Sequence, residues 1–250
     1  MEDEGIDVIT IREIEAPDKY IQLIGELKVN ITKAFVETGY EATKVEFSSD
    51  TTETQKNGST VGLVDGTVTI TVPNIQFDLS LRKFITKVND EEITSRIPQV
   101  DVSHLKDGTA TSATYTHPKD PVLVSNGNIV TYTIRVFNEG EMDGYASLIK
   151  DDIPEGLRYL PDNDINKEYR WTMLDKDGNA TTNVEDAVSI VSDYLSKEQE
   201  KVSGENLLKA FNKNSDTLSF KDVKVAFEVI EPATSDRIVI NQAQISKNTD

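Results

Sequence analysis

The run Asn128-Ile-Val-Thr-Tyr-Thr-Ile-Arg-Val-Phe-Asn138 alternates apolar and polar residues from Val130 to Val136. Such alternation places Val130, Tyr132, Ile134 and Val136 on one side of an extended strand and Thr131, Thr133 and Arg135 on the other. The same period recurs in short blocks separated by turn residues. Leu27, Val29 and Ile31 alternate with Lys28, Asn30 and Thr32; Val68, Ile70, Val72 and Asn74 share a side; so do Val223, Val225, Phe227 and Val229, and Val239, Asn241, Ala243 and Ile245. Short strands punctuated this way predict an all-β sandwich fold. The apolar fraction of 37% suffices, because only alternate residues of each strand go inside. One or two short helices are expected only within Ser192–Phe211, where Leu207, Leu208 and Phe211 have helical spacing and Ser203-Gly204 interrupts.

Composition excludes several functions. The net charge of −18 supplies no basic stripe for nucleic acid, and no apolar run approaches a membrane span. No cysteine is present, so disulfides, thiolate metal sites and cysteine nucleophiles are excluded together. The only histidines, His104 and His117, lie in polar stretches, and no phosphate-binding glycine pattern occurs. No cofactor is expected. Asp175, Asp177 and Asn179, followed by Thr181, Asn183 and Asp186, have the offsets of a calcium loop. Ala180 stands where such a loop needs glycine, so a plain Asp-Gly turn is the favoured reading. Tyr145, Tyr159, Tyr169 and Trp171 have the chemistry of a sugar platform, but such residues more often fill a sandwich core.

The stretch Phe77-Asp-Leu-Ser-Leu-Arg-Lys-Phe-Ile-Thr-Lys-Val88 carries the most chemical information. Its alternation puts Leu79, Leu81, Lys83, Ile85 and Lys87 on one face. A lysine among apolar neighbours is costly unless it is paired or chemically used.

Two resemblances organise these observations. Ile11-Arg-Glu-Ile-Glu-Ala-Pro-Asp-Lys-Tyr20 resembles the Glu-x-x-Ala-Pro-x-Gly-Tyr signature of collagen-adhesin B-type (prealbumin-like) domains of Gram-positive surface proteins, with Lys19 in place of the usual glycine. The resemblance implies that Glu13 and Asn74 belong to an incomplete cross-linking site, whose lysine strand would lie upstream of Met1. The set Asp78 to Lys83, Val130 to Gly140, Lys150-Asp-Asp-Ile-Pro-Glu-Gly-Leu157 and Ile240-Asn-Gln-Ala-Gln-Ile245 is similar to the Ig-like A-type and pilin-like repeat modules of clostridial-type cell-surface proteins. The expected organisation is therefore the back part of a B-type domain at residues 1–75, followed by a larger A-type, Ig-like sandwich at residues 76–250.

By that resemblance a first-strand lysine bonds to a last-strand asparagine, assisted by a buried carboxyl group. Lys83 and Asn241 stand at those positions, with Lys87 as an alternative amine. The usual place for the acid, after Gly127, holds Asn128; Asp152 and Asp78 are the substitutes. The implied role is a structural stalk segment of a cell-surface or pilus-like protein, extracellular and at the cell wall, and not an enzyme beyond a single autocatalytic turnover. Its partners would be neighbouring repeats, and in a second reading a host matrix protein or glycan. A third reading is an accessory module of a secreted carbohydrate-active enzyme.

Overall fold

The computed structural model describes residues 5–16, 20–37, 39–56, 58–73, 75–231 and 238–249. The chain divides into two compact units, Met1–Gln76 and Phe77–Asp250. Both are built from strands, and no helix among the described residues is long and apolar enough to cross a membrane.

The first unit contains β1 (Gly5–Ile11), β2 (Tyr20–Ile21), β3 (Leu27–Val36), β4 (Gly39–Phe47), β5 (Thr60–Val64), β6 (Thr67–Thr71) and β7 (Ile75–Gln76). β3 is central in the sheet β1-β3-β4, while β2 pairs with β7 and β5 with β6. Leu27, Val29 and Ile31 are buried, as their alternation predicts. Val8-Ile-Thr-Ile-Arg-Glu13 reads as one strand with Ile9, Ile11 and Glu13 on one face, but Ile9, opposite Val29, remains exposed, and β1 ends at Ile11, so Glu13 lies outside it.

The second unit contains β8 (Leu79–Val88), β9 (Glu91–Glu92), β10 (Gln99–Asp101), β11 (Thr114–Thr116), β12 (Ile129–Asn138), β13 (Tyr145–Asp152), β14 (Leu157–Tyr159), β15 (Thr172–Leu174), β16 (Ser189–Ser192), β17 (Ser219–Val229) and β18 (Ala243–Thr249). One sheet has the order β14-β17-β12-β8-β9 and the other β15-β16-β13-β18. Their inner faces share one core. Val130, Ile134, Val136, Val223, Val225 and Phe227 come from the first sheet; Ala146, Ile149, Met173 and Ile190 come from the second. This is the sandwich that the strand periods predict.

The outer face of the first sheet is not solvated. Thr131 and Thr133, expected to face out, are only 4% and 2% exposed. Further along the same face Phe137 is covered by Val102, Leu105 and Leu218. The stretch from Val88 to Ala113, which reads as irregular, thus contributes a second small core. Tyr115 in β11 anchors this layer: its hydroxyl donates to Glu139 at 2.5 Å, and the Arg82 guanidinium lies 3.7 Å above its ring.

Helical turns are more widespread than the sequence suggests. Besides Lys197–Gln199 and Glu200–Ser203, they occur at Glu53–Lys56, Ser103–Lys106 and Asp164–Glu168. The last is started by Asn163, whose side chain accepts the Ile165 N–H. Tyr145, Tyr159 and Trp171 are buried, and Trp171 donates its indole N–H to the Lys224 carbonyl at 2.7 Å. These rings are core, not a sugar platform.

Candidate functional site

Lys83 enters the sandwich from β8. β8 pairs with β12 in antiparallel register, with Lys83 opposite Ile134 and Ile85 opposite Tyr132. Between Tyr132 and Thr131 the register slips by one residue, because Thr86 is an extra residue in β8. The bulge reverses the parity beyond it. Val88 turns to the core, and Lys87 turns away, its side chain 32% exposed and 4.0 Å from Asp90. Lys87 is therefore not an alternative amine on the core face.

Asp151 comes from the opposite sheet. β13 lies between β16 and β18, so Asp151 is flanked by Ile190 on one side and Ala243 on the other. It follows Ile149 by two residues and shares its inward face. The Lys83 ammonium donates to both carboxylate oxygens of Asp151, at 2.6 and 2.5 Å. The two side chains are 6% and 0% exposed. The pair bridges the two sheets through the core.

Neither substitute acid takes this place. Asp152 alternates outward and contacts Lys150 at 3.3 Å. Asp78 precedes β8, where its carbonyl accepts the N–H groups of Glu139 and Gly140. Asn128 sits in a turn, accepting the Ser125 N–H. The sequence does not single out Asp151, because Asp151-Asp-Ile-Pro-Glu-Gly156 has the composition of a strand stop. Flanking strands hold Asp151 extended in spite of that composition. Continuing the parity of Ile149 by one more step would have found it.

Asn241 completes the arrangement. It lies two residues before Ala243, the residue opposite Asp151, and on the same side of the chain. Lys83 and Asn241 line the same cleft of about 730 Å3, together with Tyr132, Leu157 and Val229. Both heteroatoms of the Asn241 carboxamide are buried, and neither has a hydrogen-bond partner among the described residues. An unsatisfied buried polar group costs about 1–3 kcal/mol, so a native fold rarely keeps one without a reason. Arg237-Ile-Val-Ile-Asn-Gln-Ala-Gln-Ile245 reads as one last strand; Arg237 lies outside the described residues, and β18 begins only at Ala243.

Burial governs the electrostatics. Desolvation pulls the Lys83 amine down to about 8, against the opposing attraction of Asp151. Desolvation likewise pushes the Asp151 carboxyl up to about 6, against the pull of Lys83. Both shifts narrow the gap between the ion pair and its neutral tautomer, in which the proton has moved from nitrogen to oxygen. The Tyr132 ring lies 4.6 Å from the amine and forms the floor of the site. Burial pushes its phenol up to about 12, so it stays neutral.

The remaining sequence candidates separate from this centre. The Glu13 carboxylate accepts the Leu23 N–H at 2.6 Å and so closes a local loop. Asn74, its implied partner, lies outside the described residues. Asp175 uses its Oδ1 to accept the N–H groups of Asp177 and Asn179, and Gly178 adopts φ +81°. That geometry is an Asp-Gly turn with its carboxylate already engaged. No group of three or more His, Cys, Asp or Glu residues poised for a metal occurs among the described residues.

Comparison with family models, curated proteins and solved structures finds no match for this chain.

Proposed function

We propose that the second unit is a self-cross-linking structural module, in which Lys83 and Asn241 join through an isopeptide bond promoted by Asp151. The observation that carries this reading is the buried Lys83–Asp151 pair beside an orphaned carboxamide. As a stabilising element the pair is poorly motivated, since desolvating two charges offsets most of their attraction. As a reaction centre it is well motivated. Proton transfer along the short contact yields a neutral amine and a protonated acid together. The amine nitrogen attacks the Asn241 carboxamide carbon, and Asp151 donates to the carbonyl oxygen and then carries a proton to the departing nitrogen. One C–N bond forms, one breaks, and ammonia leaves.

The bond would tie residues 158 positions apart (241 − 83). Load entering near β8 would then pass to β18 without unfolding the sandwich between them. That property fits a stalk segment of a Gram-positive, wall-attached or pilus-like surface protein, whose partners are neighbouring repeats of the same polypeptide. The module completes one reaction and does not turn over.

Intact-mass measurement should find the chain lighter by one ammonia, and digestion should yield a branched peptide joining Lys83 to Asn241. Full mass with separate peptides would refute the reading. The rate of linkage should also have a defined pH profile. The reactive tautomer holds one proton across the pair, as the ion pair does, so both peak over the same range. Linkage of freshly refolded protein should be fastest between about pH 6 and 8. It should slow below, where the pair gains a second proton, and above, where it loses its last. A rate rising steadily to pH 10 would mean that no acid takes part.

A further inference from the structure

The backbone around Lys83 and Asn241 is left open on both sides of the cleft. β8 is paired with β12 along its length, but on its other side only its last residues are paired among the described residues: Lys87 and Val88 with β9, and the Thr86 carbonyl with the Ile93 N–H. The Asp78 carbonyl accepts from Glu139, beyond the end of β12. Alternation from that point directs the backbone groups of Ser80, Arg82 and Phe84 to β12, and those of Leu79, Leu81, Lys83 and Ile85 to the bare edge. Arg82 folds back to cap the Leu81 carbonyl at 2.6 Å. The edge groups of Lys83 and Ile85 have no partner among the described residues. Exposure agrees: Lys83 as a residue is half-buried although its side chain is 6% exposed, so its open part is backbone.

Across the cleft the pattern repeats. The Gln242 carbonyl accepts the Asp152 N–H, which directs even-numbered backbone groups to β13. Those of Val239 and Asn241 therefore point the other way, and they too lack partners among the described residues. Asn241 is half-buried while its carboxamide is enclosed, again leaving its backbone as the open part. β18, which directly follows this segment, approaches β8 within 8 Å between Cα atoms, whereas hydrogen-bonded strands lie about 4.8 Å apart.

We infer that the segment Val239–Gln242 is a strap that zips onto the bare edge of β8 when the cross-link forms, making the two sheets continuous at this corner. The inference rests on the cross-linking reading. Lys83 and Asn241 are both the residues to be bonded and residues whose backbone groups lie unpaired at the two sheet edges among the described residues. Drawing the side chains together thus brings two unpaired strand edges into register. It also closes the mouth of the cleft that Lys83 and Asn241 line. An exposed edge is a hazard in a surface protein, because it pairs with other chains; closure would remove it.

Hydrogen–deuterium exchange read at single amides tests this, with intact mass recorded on the same samples. The Lys83, Ile85, Val239 and Asn241 amides should exchange about tenfold or more slowly in linked wild type than in Asn241→Ala, while β17 amides change little. A second unlinked variant, Asp151→Asn, leaves the strap residues intact and should give the same local pattern; wild-type protection in it would show that the Asn241 substitution, and not the missing link, loosened the strap, and would overturn the inference. Linked mass with unchanged exchange at these four amides would overturn the strap and leave the cross-link standing. Absence of the ammonia loss in wild type would instead overturn the cross-link.

Discussion

Replacing Asn241 with alanine should lower the melting temperature of the second unit by roughly 10–20 °C. A cross-link closing a loop of 158 residues removes unfolded-chain entropy worth about 5 kcal/mol on the loop-closure model. For a unit of this size each kcal/mol moves the transition by about 2–4 °C. The substitution keeps the Lys83–Asp151 pair and removes the orphaned carboxamide, so the change in packing contributes little. The transition of the first unit should not move, because the link lies wholly within 77–250. Calorimetry with separate assignment of the two transitions measures this. Pulling on the chain ends provides the mechanical counterpart: the unlinked variant should extend by the whole Lys83–Asn241 stretch on unfolding, and wild type should not. A melting temperature within about 2 °C of wild type would show that no such link contributes to stability.

Changes at Asp151 should have a still larger effect, of a different kind. Asp151→Ala removes the acid and strands a buried ammonium at Lys83. Breaking a buried pair from one side costs about 3–5 kcal/mol, in addition to the lost cross-link. The double variant Lys83→Met with Asp151→Leu should recover much of the first loss and none of the second, because an apolar pair of similar volume is often as stable as the ion pair. Asp152→Ala should link at close to the wild-type rate, since that carboxylate is exposed and pairs with Lys150, whereas Lys83 pairs with Asp151. Gel mobility under denaturing conditions separates linked from unlinked chains, and urea titration reports the stabilities. Wild-type linkage in Asp151→Asn would remove Asp151 from the chemistry. Failure of Asp152→Ala to link would restore one of the two substitute acids that the family resemblance leaves open.

The two predictions depend on different amounts of folding. Lys83 and Asn241 are legible as inward residues because strand parity is local: Leu81 and Ile85 flank one, Val239 and Ala243 the other, and all four pack against the core. Lys87 shows the limit of that logic. Its parity is correct until the extra Thr86 is accommodated against β12, and nothing in residues 77–88 announces the slip. Thr131 and Thr133 fail in the same way. Their polarity predicts solvent, yet segments distant in sequence cover their face of the sheet.

Alternation by itself determined that the chain is all-β, which faces turn inward, and that a lysine and an asparagine near opposite ends of the second unit stand among apolar neighbours. Periodicity is a property of a few adjacent residues, so it survives without knowledge of the fold. Only the tertiary structure decided which carboxyl group meets that lysine. Asp151 and Asp152 are adjacent and chemically alike, and what separates them is the position of β13 between two strands of the facing sheet, which seals one carboxylate against Lys83 and leaves the other in water.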